Sequence, residues 1–398
     1  MRPIIRKASR LSHSLLFVVN ESYFFLTHRL ALAKAAQQAG YEVHVAAPAD
    51  HVWAPDDFSV EELRSAGFQI HEIPLSRRGM NPLQDLVTLV ALIRLFCRLK
   101  PDVLHLLTIK PVIYGGIAAR IAGVKAVVST ITGLGQVFIA KGLPASVLRW
   151  LVIRLYRLAT NQKNAQVIVQ NRGDRNTIIA TGAVVPDKIH LIRGSGVAVN
   201  TFSYSPDEAV SPTVILPSRL IWEKGVGVFA NAARILKEQG IMARFALVGD
   251  TQSSNPRAVP AATIDDWVAS GILEWWGRRK DMPEVYKEAS IVCLPSMYGE
   301  GVPKVLIEAA ASGRAIVTAD IPGCTEIVDD GVNGLVVPAN DAEALAAALK
   351  RLIENVGERL AMGQRGREIV VSGFSEEQVI GETLGVYEKA LEMDYSMN

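Results

Sequence analysis

Cysteine is scarce in this chain. Only Cys97, Cys293 and Cys324 occur in 398 residues, an odd number with no CxxC spacing. That argues against a disulfide framework and against a cysteine zinc site, and makes the cytosol the expected compartment. Long apolar runs are missing too, although 49% of residues are hydrophobic and the mean hydropathy is +0.21. Nothing approaches the roughly 18 apolar residues of a membrane span. The apolar stretch from Leu86 to Ile93 is bracketed by Asp85 and Arg94, and the run from Leu15 to Val19 ends at Asn20-Glu21, too short for a signal-peptide core. No repeat of roughly 20–50 residues and no low-complexity tract is present. Net charge is small, +2, but unevenly spread. Residues 1–200 hold 24 Lys and Arg against 12 Asp and Glu, whereas residues 201–398 hold 18 against 28. The basic half is expected to face something anionic, either nucleic acid or a membrane surface. The length exceeds one ordinary core, so two domains are expected.

Short β-branched or apolar runs alternate with longer helical ones. Strands are predicted from Leu15 to Val19, Val43 to Ala46, Val103 to Leu106, Ala126 to Ser129, Gln166 to Gln170 and Ile189 to Ile192. Helices are predicted from Thr27 to Gly40 and from Tyr114 to Ala122. The rhythm pauses at Asn200 to Pro212 and restarts with Val214 to Leu216, a helix from Gly227 to Gly240, and Phe245 to Val248. Ile291 to Leu294, Ala315 to Thr318 and Gly334 to Val337 read as later strands, and Glu376 to Met393 as a terminal helix. The fold class is therefore α/β, with two Rossmann-like sheets in series. Such sheets bind ligands beyond the carboxyl ends of their strands, so a cleft between two domains is expected.

Glu300 and Glu308 stand out in the segment from Tyr298 to Ala310. The first lies in a Gly-flanked turn. The second lies in a helical run with Pro303 at its start, Gly313 at its end and apolar neighbours. A carboxylate in so apolar a helix needs partners, and sugar or ribose hydroxyls would supply them. A salt bridge to an arginine is the plain structural alternative. Earlier, Arg219 and Lys224 flank a short turn at a strand end, where a diphosphate could sit. Gly249-Asp250 is another tight turn at a strand end, and Trp275-Trp276-Gly277-Arg278 places aromatic, glycine and basic residues together. The tryptophans have an ordinary reading as core.

The ordered set of Arg219 with Lys224, Gly249-Asp250, Gly277-Arg278, Glu300 to Glu308, Pro322 to Glu326 and Asp330 to Pro338 resembles glycosyltransferase family 4 over nearly the whole chain. The segments Tyr23 to Arg29, His105 to Pro111, Ile131 to Gly135 and Arg193 to Val197 look like its bacterial branch for capsule, exopolysaccharide and O-antigen synthesis. The resemblance implies a retaining GT-B enzyme. Its acceptor-binding domain would span 1–203 and its nucleotide-sugar domain 204–374. A helix over 375–398 would cross back onto the first domain. The implied reaction moves a hexose or N-acetylhexosamine from a UDP-sugar to a polyprenyl-diphosphate-linked sugar. No metal and no permanently bound cofactor are implied. Arg219 and Lys224 would neutralise the diphosphate leaving group, Glu308 would take ribose hydroxyls, and Glu300 would approach the donor sugar. Gly301, Val302, Pro303 and Lys304 would offer backbone groups, and Gly249 would form a turn at the donor. Gly277 and Arg278 would border the base, Gly133 and Gly135 would allow close approach, and His105 is a further catalytic candidate. The chain departs from the family pattern at Leu107, where many relatives have histidine, and at Ala198, where aspartate is usual.

The stretch from Val147 to Arg157 is apolar but studded with arginine, which suits either an interfacial helix or a core helix with snorkelling arginines. Arg2, Arg6, Lys7, Arg10, Arg77, Arg78, Arg94 and Arg98 add positive charge. Docking on the anionic inner face of the bacterial cytoplasmic membrane is the expected location. The alternatives are a sugar-nucleotide epimerase of the same two-domain layout and a catalytically weak nucleotide-sugar-binding protein. No nucleic-acid partner is expected, because no base-reading element is evident.

Overall fold

Strands form where the β-branched runs stand, and their pairing makes two all-parallel sheets. In this computed structural model the described residues are 13–49, 61–75, 81–134, 138, 142–206, 212–251 and 255–395. The first sheet comprises β1 (Ser14–Val18), β2 (Glu42–Ala47), β3 (Gln69–Glu72), β4 (Val103–Leu107), β5 (Ala126–Ile131), β6 (Ala165–Val169) and β7 (Ile189–Leu191). Its spatial order is β3-β2-β1-β4-β5-β6-β7. The second sheet comprises β8 (Thr213–Pro217), β9 (Arg244–Val248), β10 (Glu274–Trp275), β11 (Ile291–Leu294), β12 (Ala315–Ala319) and β13 (Gly334–Val337). Its order is β10-β9-β8-β11-β12-β13. Both are doubly wound Rossmann orders, and each has a switch point where the chain reverses its direction of travel: β1 beside β4, and β8 beside β11. Both sheets carry buried apolar side chains on two faces, as helix-covered parallel sheets require.

Two edge strands escape the sequence pattern. The segment Gln69–Glu72 has only Ile70 as a strong apolar residue, and β10 is two residues long. One predicted helix begins early. Ser22–His28 is helical, the chain breaks at Arg29 (φ −132°), and a second helix runs over Leu30–Gln38. Trp275 is 36% exposed on the edge strand, so it is not the core residue its aromatic character suggests.

The chain crosses between the sheets twice, side by side. The Val197 amide donates to the Phe374 carbonyl at 3.1 Å, and the Glu376 amide donates to the Val197 carbonyl at 2.9 Å. The helix Glu376–Tyr395 then returns to the first sheet. Its Val379, Val386, Tyr387, Ala390 and Leu391 are buried in one cluster with Leu15, Phe17, Val103 and Val128. Each fully buried Val or Leu contributes roughly 1.5–3 kcal/mol, enough to fix the helix to that domain.

Candidate active site

Both switch points open onto one cleft, a cavity of about 850 Å³. Asn20 and Glu21 reach it from the end of β1, Thr108 from β4, Thr132 from β5 and Gln170 from β6. Across from them lie Ser218 and Arg219 after β8, Gly249 and Asp250 after β9, Arg278 after β10 and Glu300 after β11. The cleft follows from topology, because every one of these residues sits at the carboxyl end of a parallel strand.

The Lys224 side chain is held beside Glu300. A short 3-10 turn over Trp222–Lys224 follows β8, and the left-handed Gly225 (φ 76°) starts the helix Val226–Glu238. The Lys224 ammonium then meets Glu300 Oε1 at 2.5 Å, and the fully buried Ser296 donates to the same oxygen at 3.0 Å. The loop bearing Glu300 is tied down by a bond from the Met297 amide to the Glu223 carbonyl at 2.9 Å.

Glu308 sits on the helix Lys304–Ala311, whose Leu306, Ile307, Ala309, Ala310 and Ala311 are buried around it. Its carboxylate accepts from the Tyr286 hydroxyl at 3.0 Å and lies 3.8 Å from the Lys304 ammonium. Burial raises its pKa above the usual carboxylate value, while Lys304 and the Tyr286 bond oppose that rise. Burial and Glu308 together keep the Tyr286 phenol protonated. Tyr286 carried no signal in the sequence, since it reaches the site from the helix Met282–Glu288, 22 residues before Glu308.

The two walls touch directly. Lys304 donates across the cleft to the Thr27 carbonyl at 2.9 Å. The Asn171 side chain donates to the Gly301 carbonyl at 3.2 Å, and the Arg172 amide donates to Glu326 at 2.9 Å. Any Cβ at position 301 would stand 2.6 Å from the Thr132 carbonyl oxygen, so only glycine permits this approach. Gly249 is under similar constraint, since its Cβ would overlap the Ser218 carbonyl. The Gly249 amide donates to the Gly277 carbonyl at 2.8 Å, which joins the loops after β9 and β10.

Most of the predicted residues therefore converge. Arg219, Lys224, Gly249, Arg278, Glu300, Gly301, Val302, Pro303, Lys304 and Glu308 all line the cleft. Gly277 stands behind Gly249, and Gly133 (φ 123°) lies against the Gly301 amide. Gly135 lies outside the described residues, as do Arg2, Arg6, Lys7, Arg10, Arg77 and Arg78. His105 is not brought to the cleft. It is 1% exposed within β4, with Nδ1 at 2.6 Å from the Tyr387 hydroxyl and Nε2 at 2.7 Å from Thr130 Oγ1. Both ring nitrogens are thus occupied, and burial followed by the charge of Arg29 holds its pKa well below the ordinary value. The geometry makes His105 a core residue that links the first sheet to the terminal helix.

A different histidine lines the cleft. His28 stacks on Phe24 with centroids 4.7 Å apart and places Nδ1 2.7 Å from Thr27 Oγ1. Burial, then Lys304 and Arg29, push its pKa down to about 3, so it is neutral at pH 7. The string from Tyr23 to Arg29 supplies much of the amino-terminal wall. A sequence signal existed there, since polar and aromatic residues interrupt an otherwise amphipathic helix directly after a strand.

The arrangement suits an anionic, hydroxyl-rich ligand. Of the described residues, six cationic side chains line the cavity against four acidic ones, and Lys304, Arg29 and Arg219 are all close enough to depress His28. Among the described residues no three His, Cys, Asp or Glu side chains form a metal-holding group.

Comparison with known proteins agrees with this geometry. A family model described as glycosyl transferase 4-like matches residues 14–171, and one described as glycosyl transferases group 1 matches residues 211–355. The N,N'-diacetylbacillosaminyl-diphospho-undecaprenol alpha-1,3-N-acetylgalactosaminyltransferase of Campylobacter jejuni is 26% identical over 91% of this chain and 95% of its own. The UDP-Gal:alpha-D-GlcNAc-diphosphoundecaprenol alpha-1,3-galactosyltransferase of Escherichia coli is 27% identical over 76% of this chain and 79% of its own. Among solved structures, Anabaena Alr3699/HepE in complex with UDP superposes with a TM-score of 0.75 at 19% identity, covering 95% of this chain and all of that one. A glycosyltransferase from Rickettsia africae gives the same TM-score and identity, covering 96% of this chain and 99% of its own. With both domains matched in order and the two switch points facing one cleft, the chain belongs to the family 4, group 1 glycosyltransferases of the GT-B fold.

Proposed function

We propose that this glycosyltransferase moves a hexose or N-acetylhexosamine from a UDP-sugar, with retention, to a sugar carried on a polyprenyl diphosphate during bacterial surface polysaccharide synthesis. The observation that carries the reading is the donor wall, where Lys224–Glu300 and Glu308–Tyr286 stand within one cleft beside Arg219. The acceptor class is supported by the two undecaprenol-linked relatives.

In this reading Arg219 and Lys224 receive the diphosphate, and Lys224 exchanges part of its pairing with Glu300 for phosphate oxygens. Charge grows on those oxygens as the glycosidic bond breaks, so preorganised cations lower the barrier most at the transition state. Glu300, fixed by Ser296, faces the donor sugar. Glu308 takes ribose hydroxyls on the oxygen not bonded to Tyr286. Arg278 borders the base, with Gly277 behind it bracing Gly249, while the backbone from Gly301 to Lys304 caps the phosphates. His105 takes no direct part.

The enzyme works, in the same proposal, on the inner face of the cytoplasmic membrane. The helices Pro82–Leu99 and Leu143–Thr160 present Leu83, Leu86, Val87, Val147, Trp150 and Leu151 to solvent, and Arg154 lies 5.2 Å from the Trp150 ring. Apolar and aromatic side chains interleaved with arginine suit an interfacial face. No described helix is long and apolar enough to cross a membrane.

The test is transfer from UDP-linked hexoses and N-acetylhexosamines to a short-chain polyprenyl diphosphate sugar, followed by mass and by anomer. Lys224→Ala is expected to lose at least a hundredfold in kcat with its fold intact. Full turnover by that variant, or epimerised donor without transfer, would reject the reading.

A further inference from the structure

Arg29 is 5% exposed, yet its guanidinium bonds to no side chain or carbonyl among the described residues. It sits at the break between the helices Ser22–His28 and Leu30–Gln38 and lines the cleft. Its buried Nε lacks a hydrogen-bond partner, and the fork forms no ion pair with any described residue. Glu21, on the same wall, has an interaction of its own. Burial lowers the pKa of Arg29 to about 10, with Tyr387 opposing the shift, so the group is still charged at neutral pH. An unpaired buried cation is costly, and a fold retains one only where something compensates.

The same wall carries two more orphaned donors. Thr108 Oγ1 and Ser195 Oγ are buried without partners, and both residues line the cavity. Thr108 also has φ 74°, a left-handed conformation that is rare for a β-branched residue and strains the end of β4. On the wall opposite, the buried Glu308 and the Lys224–Glu300 pair are all partnered. The amino-terminal wall thus holds three buried polar atoms, Arg29 Nε, Thr108 Oγ1 and Ser195 Oγ, without a partner among the described residues.

We propose that Arg29 is a phosphate-binding residue, taking the oxyanion of a substrate diphosphate from the amino-terminal wall, opposite Arg219 and Lys224. A planar guanidinium fits two phosphate oxygens at once. Thr108 and Ser195 donate to oxygens beside it. The diphosphate is that of the nucleotide donor or that of the lipid-linked acceptor. The inference rests on the proposed function only in taking the substrates to be phosphate-bearing.

The experiment uses the full chain with UDP and inorganic pyrophosphate as probes, in wild type, Arg29→Gln and Arg29→Lys. Calorimetric titration is expected to show a loss of tenfold or more in affinity for Arg29→Gln, with part recovered in Arg29→Lys. A loss in UDP affinity assigns the donor diphosphate. Unchanged UDP affinity, with the loss confined to pyrophosphate binding by the UDP-saturated enzyme, assigns the acceptor diphosphate. Without ligand, Arg29→Gln is expected to melt at or above the wild-type temperature, because the uncompensated charge is gone. Affinities within twofold of wild type for both probes overturn the assignment. So does a lower melting temperature without ligand, which marks a structural cation. If wild type binds no UDP, the donor reading itself fails, and the pyrophosphate arm still decides Arg29.

Discussion

Replacing Glu308 by glutamine separates binding from stability at the proposed donor site. The carboxylate is 8% exposed and has two partners, the Tyr286 hydroxyl at 3.0 Å and the Lys304 ammonium at 3.8 Å. Glutamine keeps the volume and the Tyr286 bond while removing the charge. A hydrogen bond to a charged group is worth about 1.5–3 kcal/mol, which corresponds to roughly 10- to 150-fold in affinity. UDP affinity by calorimetry is therefore expected to fall by that factor in Glu308→Gln. Stability moves differently. Burial holds the Glu308 pKa above its ordinary value, so the charged form costs the fold desolvation energy that glutamine does not. The melting temperature without ligand is expected to stay level or rise slightly. UDP binding within twofold of wild type would refute the ribose assignment. A melting temperature several degrees lower would show instead that Glu308 is a structural partner of Lys304.

Other expectations concern pH and the outer surface. His28 titrates near 6.5 unfolded and near 3 folded, so between these values the unfolded chain holds a proton that the native chain lacks. Stability is therefore expected to fall as pH drops below 6.5, by up to about 1.4 kcal/mol per pH unit for this group, with buried His105 adding to the same slope. Melting temperatures from pH 7.5 to 5 check this, with His28→Gln flattening the profile; a flat wild-type profile is the contrary result. At the surface, Leu83, Trp150 and Leu151 are 76%, 58% and 46% exposed. Serine at all three positions is expected to abolish flotation with phosphatidylglycerol vesicles at low salt without changing the melting temperature, and undiminished flotation would remove this face from membrane docking.

Much of the architecture is legible in the sequence. Buried parallel strands are largely apolar along their length, so β1, β8, β11 and β12 announce themselves as short apolar runs, and β4 and β5 do so with only His105 or Ser129-Thr130 inside them. Their alternation with helices dictates the handed crossovers and hence the side on which a ligand lies. Edge strands β3 and β10 were invisible, because one exposed face leaves no continuous apolar run. The cleft residues were legible in part because strand-end loops carry their charges close together in sequence, as Arg219 and Lys224 do.

The amino-acid order by itself determined the two sheets and the strand-end loops of the second one, since these depend on local periodicity and on side chains a few residues apart. It also marked Glu308 as a carboxylate in need of partners. Tertiary structure alone decided which partners those are, with Tyr286 arriving from another helix and Lys304 bridging to Thr27. It moved His105 into the core by aiming both ring nitrogens at residues 282 and 25 positions away. And it left Arg29 buried and unpaired on the wall facing the donor loops. No local pattern records desolvation, because a residue's water is removed by segments far from it in the chain.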